Sequence, residues 1–176
     1  KGAPPDLTLR LRALADPRRF EAETPHQINR PVLERIRDEA RRLEKAAAPE
    51  EHALSAAQMA ALAYPDRIGL RRKGDAPRWL LSGGKGALMA PGTPLANARL
   101  IVATDLDGDT REAAVRQALT LTEPELRAVH GDQIAWHSLC EWSRREGRVL
   151  ARRQERFGAL VLADQPWPDA PPEAMA

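Results

Sequence analysis

The dipeptide Tyr64-Pro65 constrains this chain more than any other local feature. Proline drives the residue before it out of the helical region, so a helix that reaches Tyr64 must stop there. Upstream, apolar residues recur at helical spacing. Asp6 can cap a short segment carrying Leu7, Leu11 and Leu14, which Asp16-Pro17 should end before a loop running through Thr24-Pro25. Asn29 is a second cap, with Pro31 in the first turn where its missing N–H costs little. Val32, Leu33, Ile36, Ala40 and Leu43 then form one stripe, and the charged residues lie largely outside it. A third helix is expected from Ser55, through Met59 and Leu62, to Tyr64. A small helical bundle with a solvated charged face is the simplest way to bury these stripes.

Downstream the period changes. Ile68–Arg72, Trp79–Leu81, Ala87–Met89 and Leu100–Val102 are short apolar runs separated by Gly74-Asp75, Ser82-Gly83-Gly84 and Pro91-Gly92. Runs of this length between turn residues predict β-strands in a small sandwich or barrel, and Asp107-Gly108 is a hairpin turn signal. Residues 110–121 combine helical propensity with an alternation that suits a strand. Glu123–Leu126 opens a short helix that should end at Gly131. Further strands are expected around Ile134–Trp142, Val149–Gln154 and Ala159–Leu162, with Glu146-Gly147 turning between the first two. The class is α+β: an N-terminal helical segment over 1–64, a β-rich part over 65–165 and a Pro-rich tail over 166–176. Five or six strands with one helix before the last hairpin suit an OB-fold-like β-barrel, although an unrelated small barrel would show the same pattern.

Composition narrows the class of function. The chain has 176 residues, enough to bury a core without disulfide or metal staples. Its 27 basic and 25 acidic residues leave +2, which excludes a highly charged tail and a uniformly basic packing protein. A single cysteine, Cys140, excludes an internal disulfide framework. No apolar run approaches the roughly 18 residues of a membrane span, and the start lacks a signal core, so a piece of a longer cytoplasmic polypeptide is expected. Of the basic residues 23 are arginine. Arginine reads planar anions and stacks on bases, but a GC-rich genome supplies it freely, so position has to decide.

Three apparent motifs fail on spacing. Ser82-Gly83-Gly84-Lys85-Gly86 lacks the Gly-x-x-x-x-Gly-Lys-Ser/Thr order of a phosphate loop and reads as a hairpin turn. Asp105–Asp109 opens like a calcium loop, but Thr110 and Arg116 stand where glycine and a bidentate glutamate are required. His130, His137 and Cys140 lack the paired spacing of four zinc ligands. No catalytic set and no metal site is expected.

One feature survives. From Arg144 to Arg156, six arginines against two glutamates give +4 in a chain whose total is +2. Arg144, Arg145 and Arg148 crowd a turn. If pairing is regular, Arg152 and Arg156 project opposite Arg153. With Trp142 nearby, this cluster can attract phosphates and offer a stacking surface. It equally suits a charged edge hairpin that resists aggregation. Arg67, Arg71, Arg72 and Lys73 form a second cluster, which Lys85 on the next hairpin could join.

Ala61–Ile68 with its following arginines, Trp79–Ala87, Leu100–Gly108 and above all Arg145–Leu162 together resemble bacterial HrpB-type ATP-dependent helicases of the DEAH-box group, with matches in order from about residue 28 to 165. The resemblance implies that the helical part ends a helicase-associated region. It implies an OB-fold-like module for the rest, and a strand for Ala113–Leu119. Such helicases bind ATP and Mg in two RecA-like motor domains, while accessory domains close over single-stranded RNA or DNA. No phosphate loop, Asp-Glu-Ala-His box or arginine finger motif occurs here, so no cofactor is expected in this fragment. The expectation is a non-catalytic accessory module whose arginines, Arg144, Arg145, Arg148, Arg152, Arg153, Arg156, Arg71 and Arg72, act with Lys73, Lys85 and Trp142 on a single strand beside the motor domains of the same chain. The competing expectation is a structural or protein-interaction module that docks on the helicase core or a regulatory partner.

Overall fold

A computed structural model of the chain describes residues 4–47, 53–108, 112–168 and 170–171; residues 169 and 172–176 of the expected tail, and 109–111 after the expected Asp107-Gly108 turn, lie outside them. It opens with four helices: α1 (Leu7–Ala15), α2 (Pro17–Glu23), α3 (Arg30–Ala46) and α4 (Ala56–Ala63). The loop expected after Asp16-Pro17 is instead α2. Asp16 ends α1, its amide bonding the Arg12 carbonyl, and its carboxylate then accepts from the Arg19 amide to start the next helix. Pro17 occupies the first turn of α2, where it needs no N–H. Asn29 and Ser55 cap α3 and α4 as expected, Ser55 with Gln58 in a reciprocal capping box.

The helices do not form one closed bundle. α1 is tied to the barrel, where the Ala118 amide donates to the Pro5 carbonyl at 2.9 Å. α4 buries Ala57, Ala60 and Ala61 against the barrel and the later helix. In α3 only Leu33 is buried; Val32, Ile36 and Leu43 are exposed, Leu43 at 58%.

Five strands close the barrel: β1 (Ile68–Arg71), β2 (Arg78–Leu81), β3 (Gly86–Leu88), β4 (Leu100–Leu106) and β5 (Glu112–Leu121). Their order around it is β1-β2-β3-β5-β4, with β1 and β4 antiparallel and β3 and β5 parallel. Short runs between turns thus became barrel strands, and the ambiguous stretch is strand β5. Trp79 is fully buried inside, and its indole N–H donates to the Ala98 carbonyl at 3.1 Å. Ile101, Ala103, Val115 and Ala118 pack around it.

Helix α5 (Glu123–His130) follows β5 and so lies after the fifth barrel strand. A 3-10 turn, Pro94–Asn97, fills the connection from β3 to β4. The late strands β6 (Ala135–Ser143), β7 (Arg148–Phe157) and β8 (Leu160–Pro166) form a separate antiparallel sheet, ordered β6-β7-β8. The arginine-rich hairpin expected on the barrel therefore stands outside it. The base of this sheet is seated on the barrel through Phe157, Leu160 and Leu162, which share a core with Ile68, Leu100, Val102 and Leu126. His130, 4% exposed, braces the junction. One ring nitrogen, Nε2, donates to the Ala61 carbonyl at 3.0 Å, Nδ1 accepts from Gln133 at 3.2 Å, and the ring lies 5.1 Å from that of Phe157.

The turn between β7 and β8 is the tightest point of the seat. Gly158 has φ +54°, and a Cβ there would lie 2.6 Å from the Ser82 carbonyl oxygen. Gly147, in the β6–β7 turn, has φ +62° with open space around it. Gly147→Ala is expected to cost about 1 kcal/mol from backbone strain alone. Gly158→Ala should cost about 2–4 kcal/mol, because backbone must move as well. Urea unfolding of the two variants checks this; equal losses would contradict the seat.

Candidate nucleic-acid interface

Sheet register assigns the arginines to faces. β7 pairs with β6 from Arg148↔Ser143 to Arg156↔Ala135, without a break. Successive side chains alternate between faces, so Arg148, Arg152 and Arg156 share one face with His137, Leu139 and Glu141. Arg153 lies on the other, with Trp136, Ser138, Cys140 and Trp142. The opposition of Arg152 and Arg156 to Arg153 is as the strand period implies. A single stripe of all the late arginines is not formed.

Carboxylates also occupy part of the cluster. Arg152 Nε donates to Asp164 at 2.7 Å, and Arg148 is held by Glu146 at 2.8 Å. Arg156 donates to the Gln154 side chain at 2.5 Å. Arg144 and Arg145, in the exposed β6–β7 turn, make no ion pair among the described residues. Arg153 is exposed, and its guanidinium lies 5.1 Å from the centre of the Trp167 ring.

The barrel cluster is divided too. Arg71 donates to the backbone carbonyls of Ala96, Gly74 and Asp75, so it knits the β1–β2 loop. Arg67 rests over the Tyr64 ring at 4.8 Å. Arg72 and Lys73 are exposed in that loop. Lys85 does not join them. It lies in the β2–β3 hairpin, at the Ile68 end of β1, whereas Arg72 and Lys73 follow its other end. β8 starts against Ser82 near the Ile68 end, and its Leu162 carbonyl accepts from Arg99 beside Arg71. β8 therefore runs from the Ile68 end toward the barrel end that carries Arg72 and Lys73.

The Ser82–Gly86 turn cannot cradle a phosphate. Its Ser82, Gly83 and Gly84 amides donate to the carbonyls of Ile68, Asp66 and Leu81 at 2.7, 3.0 and 2.8 Å. Phosphate loops need such amides free. His137 and Cys140 sit on opposite faces of β6, and His130 is buried elsewhere, so these three do not converge. Among the described residues no group of three or more His, Cys, Asp or Glu is gathered to hold a metal ion.

Sequence reasoning missed two tryptophans. Trp136 has the parity of Trp142 along β6, a signal that was present. Trp167 lies past β8, yet its amide donates to the Ala151 carbonyl at 2.9 Å and so prolongs the sheet edge. It also missed the ion pairs at the base: Arg127 of α5 bridges Glu155 at 2.6 Å and Glu123 at 2.7 Å, and Arg99 meets Glu123.

These pairs set the acid response. Hydrogen bonding from Arg127 holds Glu155 below the usual glutamate range, and Arg127 with Arg99 does the same to Glu123. Arg152 lowers Asp164. A carboxyl group depressed in the folded state stabilises it above the unfolded pKa, and that stabilisation is lost as pH falls through the folded value. Thermal midpoints should therefore hold steady near neutrality and fall below about pH 4.5. Glu155→Gln should blunt that fall, and an unchanged acid limb would count against the bridge.

Residues 133–167, which span β6 to β8, match the family model described as ATP-dependent RNA helicase HrpB, connector region. A crystal structure of the E. coli DExH-box NTPase HrpB matches 67% of this chain at 27% identity with a TM-score of 0.57. A second structure, of the Escherichia coli DEAH/RHA helicase HrpB, matches 64% at 22% identity and TM-score 0.51, a likeness of fold. None of the curated proteins matches. The chain spans 15% and 14% of the two solved chains. Helices, closed barrel and connector sheet together make this chain similar to an accessory region of the HrpB-type helicases.

Proposed function

We propose that the chain is a non-catalytic accessory region of an ATP-dependent RNA helicase, which lends positive charge to one wall of a single-strand channel beside the motor domains. ATP and Mg would be bound by those motor domains, since the glycine turn of this chain has spent its amides on the barrel. The reading rests on one observation. Arg144, Arg145 and Arg153 on the sheet, and Arg72 and Lys73 on the barrel loop, are exposed and make no ion pair among the described residues. β8 runs toward the same barrel end that carries the loop. Free guanidinium and ammonium groups displace counterions from a polyanion, whereas Arg148 and Arg152 already have carboxylate partners.

Salt dependence tests this. On a single strand, each neutralised phosphate contributes about 0.7 to the slope of log affinity against log salt. Replacing both Arg144 and Arg145 with alanine should lower the slope for single-stranded RNA by about 1.4. The charge-neutral pair Arg152→Ala and Asp164→Ala should leave it unchanged. Equal slopes in the two variants would reject the tip as a phosphate-binding element.

Docking on the helicase core is favoured by a separate observation, the open stripe of α3. Ile36 and Leu43 stand exposed at helical spacing beside Ala40. Such a face is buried in most stable helices. Leu43→Glu should change the stability of the chain by less than about 0.5 kcal/mol yet weaken its association with the motor domains in a pull-down. Unchanged association would remove α3 from that interface.

A further inference from the structure

Three of the four tryptophans of the chain lie on one face of the connector sheet, and the fourth, Trp79, is sealed in the barrel. Trp136 and Trp142 share that face of β6 and are 49% and 63% exposed. Trp167, opposite Ala151, has the same parity at the far edge. Arg153 stands among them, next to the Trp167 ring. Ser138 and Cys140 on β6, Ala151 on β7 and Ala163 on β8 are small positions between them, and Val149, Gln165 and Glu155 share the face, Glu155 opposite Trp136 and held by Arg127 at the base. At about 3.4 Å per residue the two β6 indoles are ~20 Å apart along the strand, and Trp167 stands ~10 Å across the sheet at the level of Cys140.

We infer that this face is a stacking platform for the bases of a single strand, with Arg153 and Trp167 forming its cationic side. The inference rests on the single-strand reading given above and names the surface that would hold the bases rather than the phosphates. Flat rings at separated points, with the small side chains of Ser138, Cys140 and Ala151 between them, leave gaps into which planar groups can slide. Base–aromatic stacking contributes on the order of 1–3 kcal/mol per base and tolerates any sequence, because every base has a π-face. Arginine adds a cation above a ring. A protein partner would favour anchors clustered at one centre and surrounded by apolar contacts, whereas here the two β6 rings are separated by Ser138 and Cys140, and Arg153 and Gln165 lie beside Trp167. Base and phosphate contacts are also divided: the unpaired Arg144 and Arg145 lie at the tip of the same hairpin, where a backbone leaving the platform would pass.

The full chain is titrated with two short strands of equal length and charge, one an oligoribonucleotide and one abasic. Trp136→Ala and Trp142→Ala are each expected to weaken the base-bearing strand about 5- to 100-fold. Both should leave abasic binding and the salt slope as they are, and Trp142→Phe should restore most of the loss. Tryptophan fluorescence of the wild type should be quenched by the base-bearing strand only. Variants that bind both strands as the wild type does would overturn the platform and leave the phosphate reading intact. Equal weakening for both strands, with no rescue by phenylalanine, would also overturn it and assign the rings to structure or to a protein partner. Absence of binding to either strand by the wild type would reject the single-strand reading itself, and the platform with it.

Discussion

The Ala159 amide donates to the Ser82 carbonyl at 2.9 Å, and the second sheet is positioned on the barrel by that contact and its surroundings. It joins the β7–β8 turn to the β2–β3 hairpin, with Gly158 pressed against the same oxygen. Around it, Phe157 and Leu160 enter the barrel core, His130 links α5 to α4, and the Arg127–Glu155 bridge fixes the flank. The apolar burial supplies most of the adhesion, by roughly 25 cal/mol per Å² of surface removed from water. The hydrogen bond and the glycine supply the angle. Only the base of the second sheet is held in this way, so its tip and both faces beyond Trp136 and Arg156 remain open to solvent.

Charge on the open part is partitioned rather than pooled. On one face Asp164, Glu146 and Gln154 answer Arg152, Arg148 and Arg156. The other face has Arg153 among aromatic rings, and the tip has Arg144 and Arg145. A count of arginines along the hairpin overstates the charge available to a ligand. Carboxylate pairing divides the cluster between the two expectations drawn from it: Arg148 and Arg152 suit a solvated edge, and Arg144, Arg145 and Arg153 are the members left for the proposed phosphate contact.

The barrel strands were legible because glycine and proline mark their ends: Gly74, Gly84 and Gly92 punctuate them, and Tyr64-Pro65 fixed where α4 stops. Strand parity was legible too, and it gave the opposed faces of Arg152 and Arg153. What could not be read was which strands pair. Periodicity says that 135–143 is a strand but not that it avoids the barrel. Asp16-Pro17 carries the same chemistry as a stop and as a start, and α2 was lost to that ambiguity. The Arg152–Asp164 pair depends on the β7–β8 register, which shifts between Glu155 and Arg156, a detail no local pattern encodes. Trp167 was hidden by the prolines around it, which suggest a loose tail rather than an edge that continues to bond.

The pleat of β6 and β7 also limits how such a chain can change length over evolution. One residue inserted inside either strand would send every later side chain to the opposite surface, trading tryptophans for arginines at a stroke. Additions are absorbed in twos, in a bulge such as the one where β8 has an extra residue opposite Glu155 and Arg156, or in the 144–147 bend beyond the Trp142–Val149 pair. Related sequences should therefore vary most in that bend and keep the parity of β6 and β7 between Trp136 and Trp142.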